Sequence, residues 1–364
     1  MKENKARVLV GMSGGVDSSV AAGLLLEQGY EVIGVTMRIW QCEEEDARVK
    51  SCCSLAAVDD ARKVAETLNI PFYVMDFRDV FQDKVIADFV GEYLRGRTPN
   101  PCIACNRHLK FGLFYEKAKS LGAEYIATGH YARTGYDEKS GRRLLLRAAD
   151  KKKDQSYVLY NLTQDQLAHT VFPLGGYTKP LVRQKAKELA LPVSDKAESQ
   201  EICFITDDDY KRFITERTPA GKIKPGNFVN SAGVVIGRHE GLPYYTVGQR
   251  KGLGLALGYP AYVLSLNPAA NTVTVGRAEE NYSSALLAAD NNFIALEQVT
   301  EPIEVQAKIR YGAAPALAVI APIPDGRIEV RFAQPQRAVT PGQAVVYYQG
   351  ESVIGGGIID EVLI

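Results

Sequence analysis

The chain has 364 residues, 46% of them hydrophobic, enough for roughly two or three domains with cores of their own. Its 43 basic and 43 acidic residues cancel, so no global field recruits a polyanion and any nucleic-acid surface must be local. No apolar run approaches the ~18 residues of a membrane span, the first residues lack the apolar centre of a secretion signal, and six cysteines are too few for a disulfide scaffold, so a soluble protein of the reducing cytoplasm is expected.

In chain order, residues 7–12, 31–37, 72–76 and 125–128 are short apolar runs that read as buried parallel strands. Between them Leu55, Val58, Ala61, Ala65 and Leu68, and later Phe111, Phe114, Ala118 and Leu121, recur at helical spacing. This alternation predicts a doubly wound α/β domain over residues 1–208, with ligands beyond the carboxyl ends of its strands. Residues 207–217 read as one more helix. Residues 209–280, punctuated by Gly and Pro, predict a small central β-containing connecting domain. Across residues 281–364 the period becomes two. Ile303, Val305, Ala307 and Ile309 share one face, Glu304, Gln306, Lys308 and Arg310 the other. Ile328, Val330 and Phe332 repeat the pattern between proline-marked turns, which predicts a C-terminal antiparallel β-barrel.

The segment Gly11-Met12-Ser13-Gly14-Gly15-Val16-Asp17-Ser18 joins the first strand to a helix carrying Val20, Ala21, Leu24 and Leu25. Glycines let backbone amides approach phosphate oxygens, and the helix start adds unpaired N–H groups and a favourable dipole. Ser13 and Ser18 supply hydroxyl donors, and Asp17 suits a phosphate-bound Mg²⁺. The Lys-Ser/Thr pair of the Walker loop is missing, so that route to γ-phosphate transfer is not indicated. The loop resembles the SGGxDS motif of the N-type ATP pyrophosphatases (PP-loop ATPases), which bind the pyrophosphate part of ATP and adenylate their substrate. That resemblance implies that Met37 and Gly129 meet the adenosine; alone, they read as a core methionine and a turn glycine.

Asn100-Pro101-Cys102-Ile103-Ala104-Cys105-Asn106 lies between two helical patterns, and because Pro101 disfavours helix at Asn100 these cysteines are expected on a loop. Cys203 follows Glu198-Ser199-Gln200-Glu201-Ile202 near the end of the same domain. Thiolates carry sulfur well because persulfides form by simple exchange, and transfer takes two: one bears the sulfur, the other completes its release as a disulfide that a reductant clears. Cys42, Cys52 and Cys53 read as structural or incidental.

Taken in order, SGGVDS, NPCIACN, ATGHYAR, KDQSYVL and ESQEICF resemble the bacterial tRNA-specific 2-thiouridylase family along essentially the whole chain. The resemblance implies that Cys105 is the nucleophile and Cys203 the persulfide carrier, with Asn100, Pro101 and Cys102 beside the target base. It assigns Lys153, Asp154, Gln155, Arg310 and Tyr311 to tRNA contact. The implied reaction adenylates O2 of the wobble uridine with ATP and replaces it by sulfur, giving 2-thiouridine, AMP and pyrophosphate. Its implied partners are tRNAs for Lys, Glu and Gln and a cysteine desulfurase. Position 102 is often Asp in that family. Cysteine there leaves a second mechanism open, a 4Fe-4S cluster on Cys102, Cys105 and Cys203. A four-cysteine zinc site would need a second pair that the sequence lacks. His130 reads as a hydrogen-bonded structural residue, and the stripe Lys179, Arg183, Lys185 and Lys187 reads as an RNA surface or a solvated helix face. The rival functions are an amide-forming adenylating synthetase and a non-catalytic, nucleotide-dependent tRNA-binding protein.

Overall fold

The computed structural model describes residues 5–40, 55–197, 202–205, 207 and 209–363. Cys42, Cys52, Cys53 and the Glu198–Glu201 part of the second cysteine motif lie outside the described residues.

Strands β1 (Arg7–Gly11), β2 (Glu31–Arg38), β3 (Phe72–Asp76) and β4 (Tyr125–Thr128) form where the apolar runs predicted them. They are followed by a hairpin, β5 (Arg133–Asp137) and β6 (Arg142–Leu146), and by the short β7 (Thr170–Val171). A five-stranded parallel sheet runs in the order β3-β2-β1-β4-β7. Alternation along β1 sends Val8 and Val10 into one cluster, with Val20 and Leu24 of helix α1 (Val16–Glu27) and Val182 of the helix Lys179–Glu188. It sends Leu9 into another, with Phe89, Phe111 and Phe114. Helices therefore cover both faces, and the winding reverses between β1 and β4, which opens the ligand crevice of doubly wound sheets at their carboxyl ends. β3 departs from the buried strand expected: Tyr73 and Val74 are exposed, because among the described residues it is the sheet's edge, with a strand neighbour on one side only.

The expected loop around the first cysteines is instead a helix, Pro101–Cys105. Asn100 is extended, as the proline demands, but its Oδ1 accepts the amides of Cys102 (3.1 Å) and Ile103 (3.4 Å) and so caps the turn. Proline at the first helical position gives up a donor that would be unpaired anyway, so Asn-Pro starts a helix here rather than ending one. The chain continues as a π-helical stretch, Asn106–Leu113, and an α-helix, Phe114–Ser120.

The expected helix near residue 210 spans Tyr210–Glu216, capped by the Asp209 carboxylate on Arg212 N–H. After it β8 (Gly226–Val229), β9 (Val235–His239), β10 (Tyr262–Asn267) and β11 (Thr272–Gly276) make a small sheet around Phe228, Val263, Val273 and Val275. Six strands close the barrel: β12 (Tyr282–Phe293), β13 (Ile303–Lys308), β14 (Ala316–Pro322), β15 (Ile328–Arg337), β16 (Ala344–Gln349) and β17 (Ser352–Leu363), with β12 pairing to both β15 and β17. Val305, Ala307 and Ile309 fill it, as the period of two requires. The β5–β6 hairpin joins this barrel sheet through Leu146 and Ser352, not the parallel sheet beside which it lies in sequence.

The seam between the parallel-sheet unit and the barrel is hydrogen-bonded. Tyr157 Oη donates to Ala344 O (2.9 Å), Asn292 Nδ2 to Tyr160 O (2.6 Å), and Arg97 pairs with Asp360 (2.8 Å). Gln343 Nε2 donates to Thr98 O (2.8 Å), and Thr98 Oγ1 also meets Thr246 Oγ1 of the small sheet's unit at 3.2 Å. The chain just before Asn100 is thus held by both the barrel and the small sheet's unit.

Candidate functional site

Residues 12–15 leave β1 at the switch point and fold back on themselves. Met12 N–H donates to Val35 O and Met12 O accepts from Thr36 Oγ1 at 2.7 Å, which ties the loop to β2. Ser18 Oγ accepts Ser13 N–H at 3.1 Å, and Ser19 Oγ donates to Gly15 O at 2.8 Å. Gly14 has φ +66°, and a Cβ there would lie 2.2 Å from Ala57 O of helix α2 (Leu55–Thr67), so both conformation and space require glycine. Gly15 caps α1 without a side-chain hydrogen bond, so the first-turn amides of α1 are presented without a side-chain acceptor.

The other residues expected to meet the nucleotide converge on this loop. A Cβ on Gly129, which follows β4, would lie 2.6 Å from Ser18 N, so glycine lets the end of β4 touch the start of α1. Met37, next to last in β2, sets its Cε against Gly11, where a Cβ would come within 3.1 Å. His130 is buried and shares a 2.8 Å hydrogen bond with Thr128 Oγ1; burial, with Lys110 adding repulsion, pushes its pKa well below the usual histidine value.

Sequence reasoning passed over Lys196 and took Lys179 only as part of a helical stripe. Lys179 Nζ donates to both oxygens of Asp17, at 2.7 and 2.9 Å, and Tyr131 Oη donates to the same carboxylate at 2.8 Å. Lys196 Nζ bridges Gly14 O (2.8 Å) and Asp60 Oδ2 of α2 (2.6 Å). Lys179 is therefore no member of a solvated stripe: it is buried, and Lys185 of the same helix pairs with Glu27 of α1. Gln155 Oε1 accepts Tyr131 N–H at 2.9 Å, so the Lys153-Asp154-Gln155 turn braces the tyrosine that holds Asp17. Asp154 accepts from Ala148 N, Ser156 N and Ser156 Oγ.

Cys105 is buried and Cys102, one helical turn earlier, is exposed. Cys105 and Ile103 enter the cluster that holds Val85, Ile86 and Phe89, and Cys203 packs against that same cluster. Its neighbour Phe204 is the anchor, with its ring 5.6 Å from Phe81, 5.3 Å from Phe89 and 5.1 Å from Phe213. Cys105 and Cys203, far apart in sequence, thus share one apolar body. Among the described residues no group of three or more His, Cys, Asp or Glu side chains is placed to hold a metal ion. At the barrel, Arg310 donates to Arg337 O at 2.6 Å, and the half-exposed Tyr311 ring sits edge-on to Tyr157, centroids 6.2 Å apart.

A glycine-rich strand-to-helix loop at the switch point of a parallel sheet, with two cysteines on one apolar cluster, defines the class, a doubly wound α/β unit carrying a barrel. Residues 6–207 match the family model described as "tRNA methyl transferase HUP domain", residues 211–277 "tRNA methyl transferase PRC-barrel domain" and residues 283–359 "Aminomethyltransferase beta-barrel domain". Proteins named tRNA-specific 2-thiouridylase align from end to end: 56% identity with that of Clostridium perfringens (99% of each chain), 56% with that of Pelotomaculum thermopropionicum (98% of each) and 55% with that of Clostridium botulinum (100% of each). The chain belongs to the tRNA-specific 2-thiouridylase family.

Proposed function

We propose that the chain uses ATP to replace O2 of a tRNA wobble uridine with sulfur. The observation that carries this reading is the union, in one unit, of a phosphate loop with Cys105 and Cys203 on a common apolar cluster. In the proposed sequence ATP lays its phosphates on the Ser13–Ser18 amides and hydroxyls, and uridine O2 attacks the α-phosphorus as pyrophosphate leaves. The terminal sulfur of a Cys203 persulfide then attacks C2, the C2–O bond breaks and AMP departs. Cys105 thiolate attacks the Cys203 sulfur, the C2-bound sulfur leaves as the thiocarbonyl of 2-thiouridine, and a dithiol reduces the remaining Cys105–Cys203 disulfide.

Asp17 keeps about a third of its side-chain surface open beside its lysine and tyrosine partners, which fits a Mg²⁺ that takes one carboxylate and the ATP phosphates. Bound there, Mg²⁺ would neutralise the pyrophosphate leaving group. Asn100, Pro101 and Cys102 meet the target base, and Lys153, Asp154, Gln155, Arg310 and Tyr311 the rest of the tRNA. The substrates are tRNAs for Lys, Glu and Gln, and a cysteine desulfurase supplies sulfur in the cytoplasm. Among the described residues no helix is long and apolar enough to cross a membrane.

The test is reconstitution with ATP, desulfurase, cysteine and tRNA, followed by mass analysis of the nucleosides. Product should appear only with ATP and should vanish in Cys105→Ser and in Cys203→Ser. Product retained by both variants eliminates the thiol mechanism. ATP-independent methylation with S-adenosylmethionine would favour the chemistry in the family model's label.

A further inference from the structure

Away from the phosphate loop, cations gather where β6 meets the outside of the barrel. Gln306 and Tyr348 face one another across β13 and β16, and Lys308 lies two residues along on the same outer face, while Val305 and Ala307 point inward. Arg147, just past β6, lays its guanidinium 4.0 Å from the centroid of Tyr348. Its Nη2 reaches Gln306 Oε1 only at 3.4 Å, and its Nε is buried without a hydrogen-bond partner. Lys308 Nζ lies 5.6 Å from the Tyr157 centroid and 5.5 Å from that of Tyr311.

Among the described residues neither Arg147 nor Lys308 forms an ion pair. The carboxylates facing them are already engaged: Asp154 by Ala148 and Ser156, Glu351 by Arg133 at 2.8 Å. Burial lowers the pKa of Lys308, with Asp154 opposing and Arg147 adding its repulsion. Two like charges drawn partly out of water without a carboxylate of their own destabilise the fold, unless an anion joins them. Their neighbours Gln306 and Tyr348 line an open groove of ≈ 570 Å³, together with Glu304, Arg331 and Gln349 among others.

We infer that Arg147 and Lys308 form a subsite for one phosphodiester of the RNA substrate, at the seam between the nucleotide-binding unit and the barrel. It rests on the proposed reading that RNA is the substrate. The two cations read backbone charge, not sequence, so they set the register in which the anticodon arm lies. Tyr311 beside them offers a ring on which a base can stack. The phosphates of ATP are served separately, by residues 13–18.

Lys308→Met keeps the apolar stem over the tyrosines and removes only the charge. Full-length wild type and variant are titrated with unmodified tRNA over a series of salt concentrations by fluorescence anisotropy, and their melting temperatures and RNA-free ATP affinities are compared. The variant should bind roughly tenfold more weakly at low salt, and its slope of log affinity against log salt should be smaller by about 1. Its melting temperature should equal or exceed that of wild type, its ATP affinity should match, and Lys308→Arg should restore the slope. An unchanged slope overturns the subsite, as does an affinity loss accompanied by a matching loss of melting temperature, which would make Lys308 a structural prop. If wild type fails to bind tRNA, the proposed function falls with it; if wild type binds and thiolates tRNA while Lys308→Met keeps the slope, the subsite alone is lost.

Discussion

Lys179 and Lys308 are both drawn out of water, and they meet that cost in opposite ways. Lys179 has a carboxylate at hydrogen-bonding distance on both oxygens, whereas Lys308 has tyrosine rings and a repelling arginine. A region whose charges are balanced before ligand arrives stays rigid, and an incoming phosphate must compete with an ion pair already in place. A region left unbalanced gains from the ligand directly and loses affinity steeply with salt. The phosphate loop is of the first kind and the barrel seam of the second.

The sharpest way to break the balanced region is through its backbone. Gly14→Ala must adopt a positive φ and meets Ala57 O, so ATP-dependent AMP release should fall by about 10²-fold or more, while tRNA affinity, read by anisotropy, changes little. Removing the cation comes next. Lys179→Met should cost about 2 kcal/mol in urea unfolding, less than a fully buried pair because Asp17 remains partly open. The double variant Lys179→Met/Asp17→Asn should recover much of that loss, and additive losses would show that the pair is not coupled.

Acid and alkali then separate the two regions by smaller effects. His130, beneath the loop, has a folded pKa well below 6.5, so between that lowered value and 6.5 the unfolded chain binds a proton that the folded one refuses. Stability should therefore fall as pH drops below 6.5, and His130→Asn should flatten that arm of the urea-midpoint profile. Lys308 has a folded pKa below 10.5, so the unfolded chain holds the extra proton between the lowered value and 10.5. Its contribution to stability should rise with pH across that window, the smallest effect here. Saturating tRNA should shift that rise to higher pH, because phosphate favours the charged amine.

Much of the architecture was legible in contiguous residues. The loop 11–18 announces itself because a phosphate cradle needs glycines, hydroxyls and a helix start in immediate succession. The barrel announces itself because alternation along Ile303–Lys308 is a property of the strand alone. Asn100-Pro101 was read in the wrong sense: the rule about the residue before proline was right, but an asparagine there is also a helix cap, and only the amides that it receives decide between an ending and a beginning.

By itself, then, the sequence determined most of the local backbone, the inward side of the barrel strands and the family to which the chain belongs. Tertiary structure alone decided which charges meet. Asp17 and Lys179 are 162 residues apart, Lys196 reaches Gly14 across 182, and Arg147 finds Gln306 across 159. Electrostatic partnership depends on distance in space through a medium of low polarizability, and no period or spacing along the chain encodes it. The β5–β6 hairpin shows the same limit: its residues specify a hairpin, but the free edge that it joins is made by strands from the other end of the molecule.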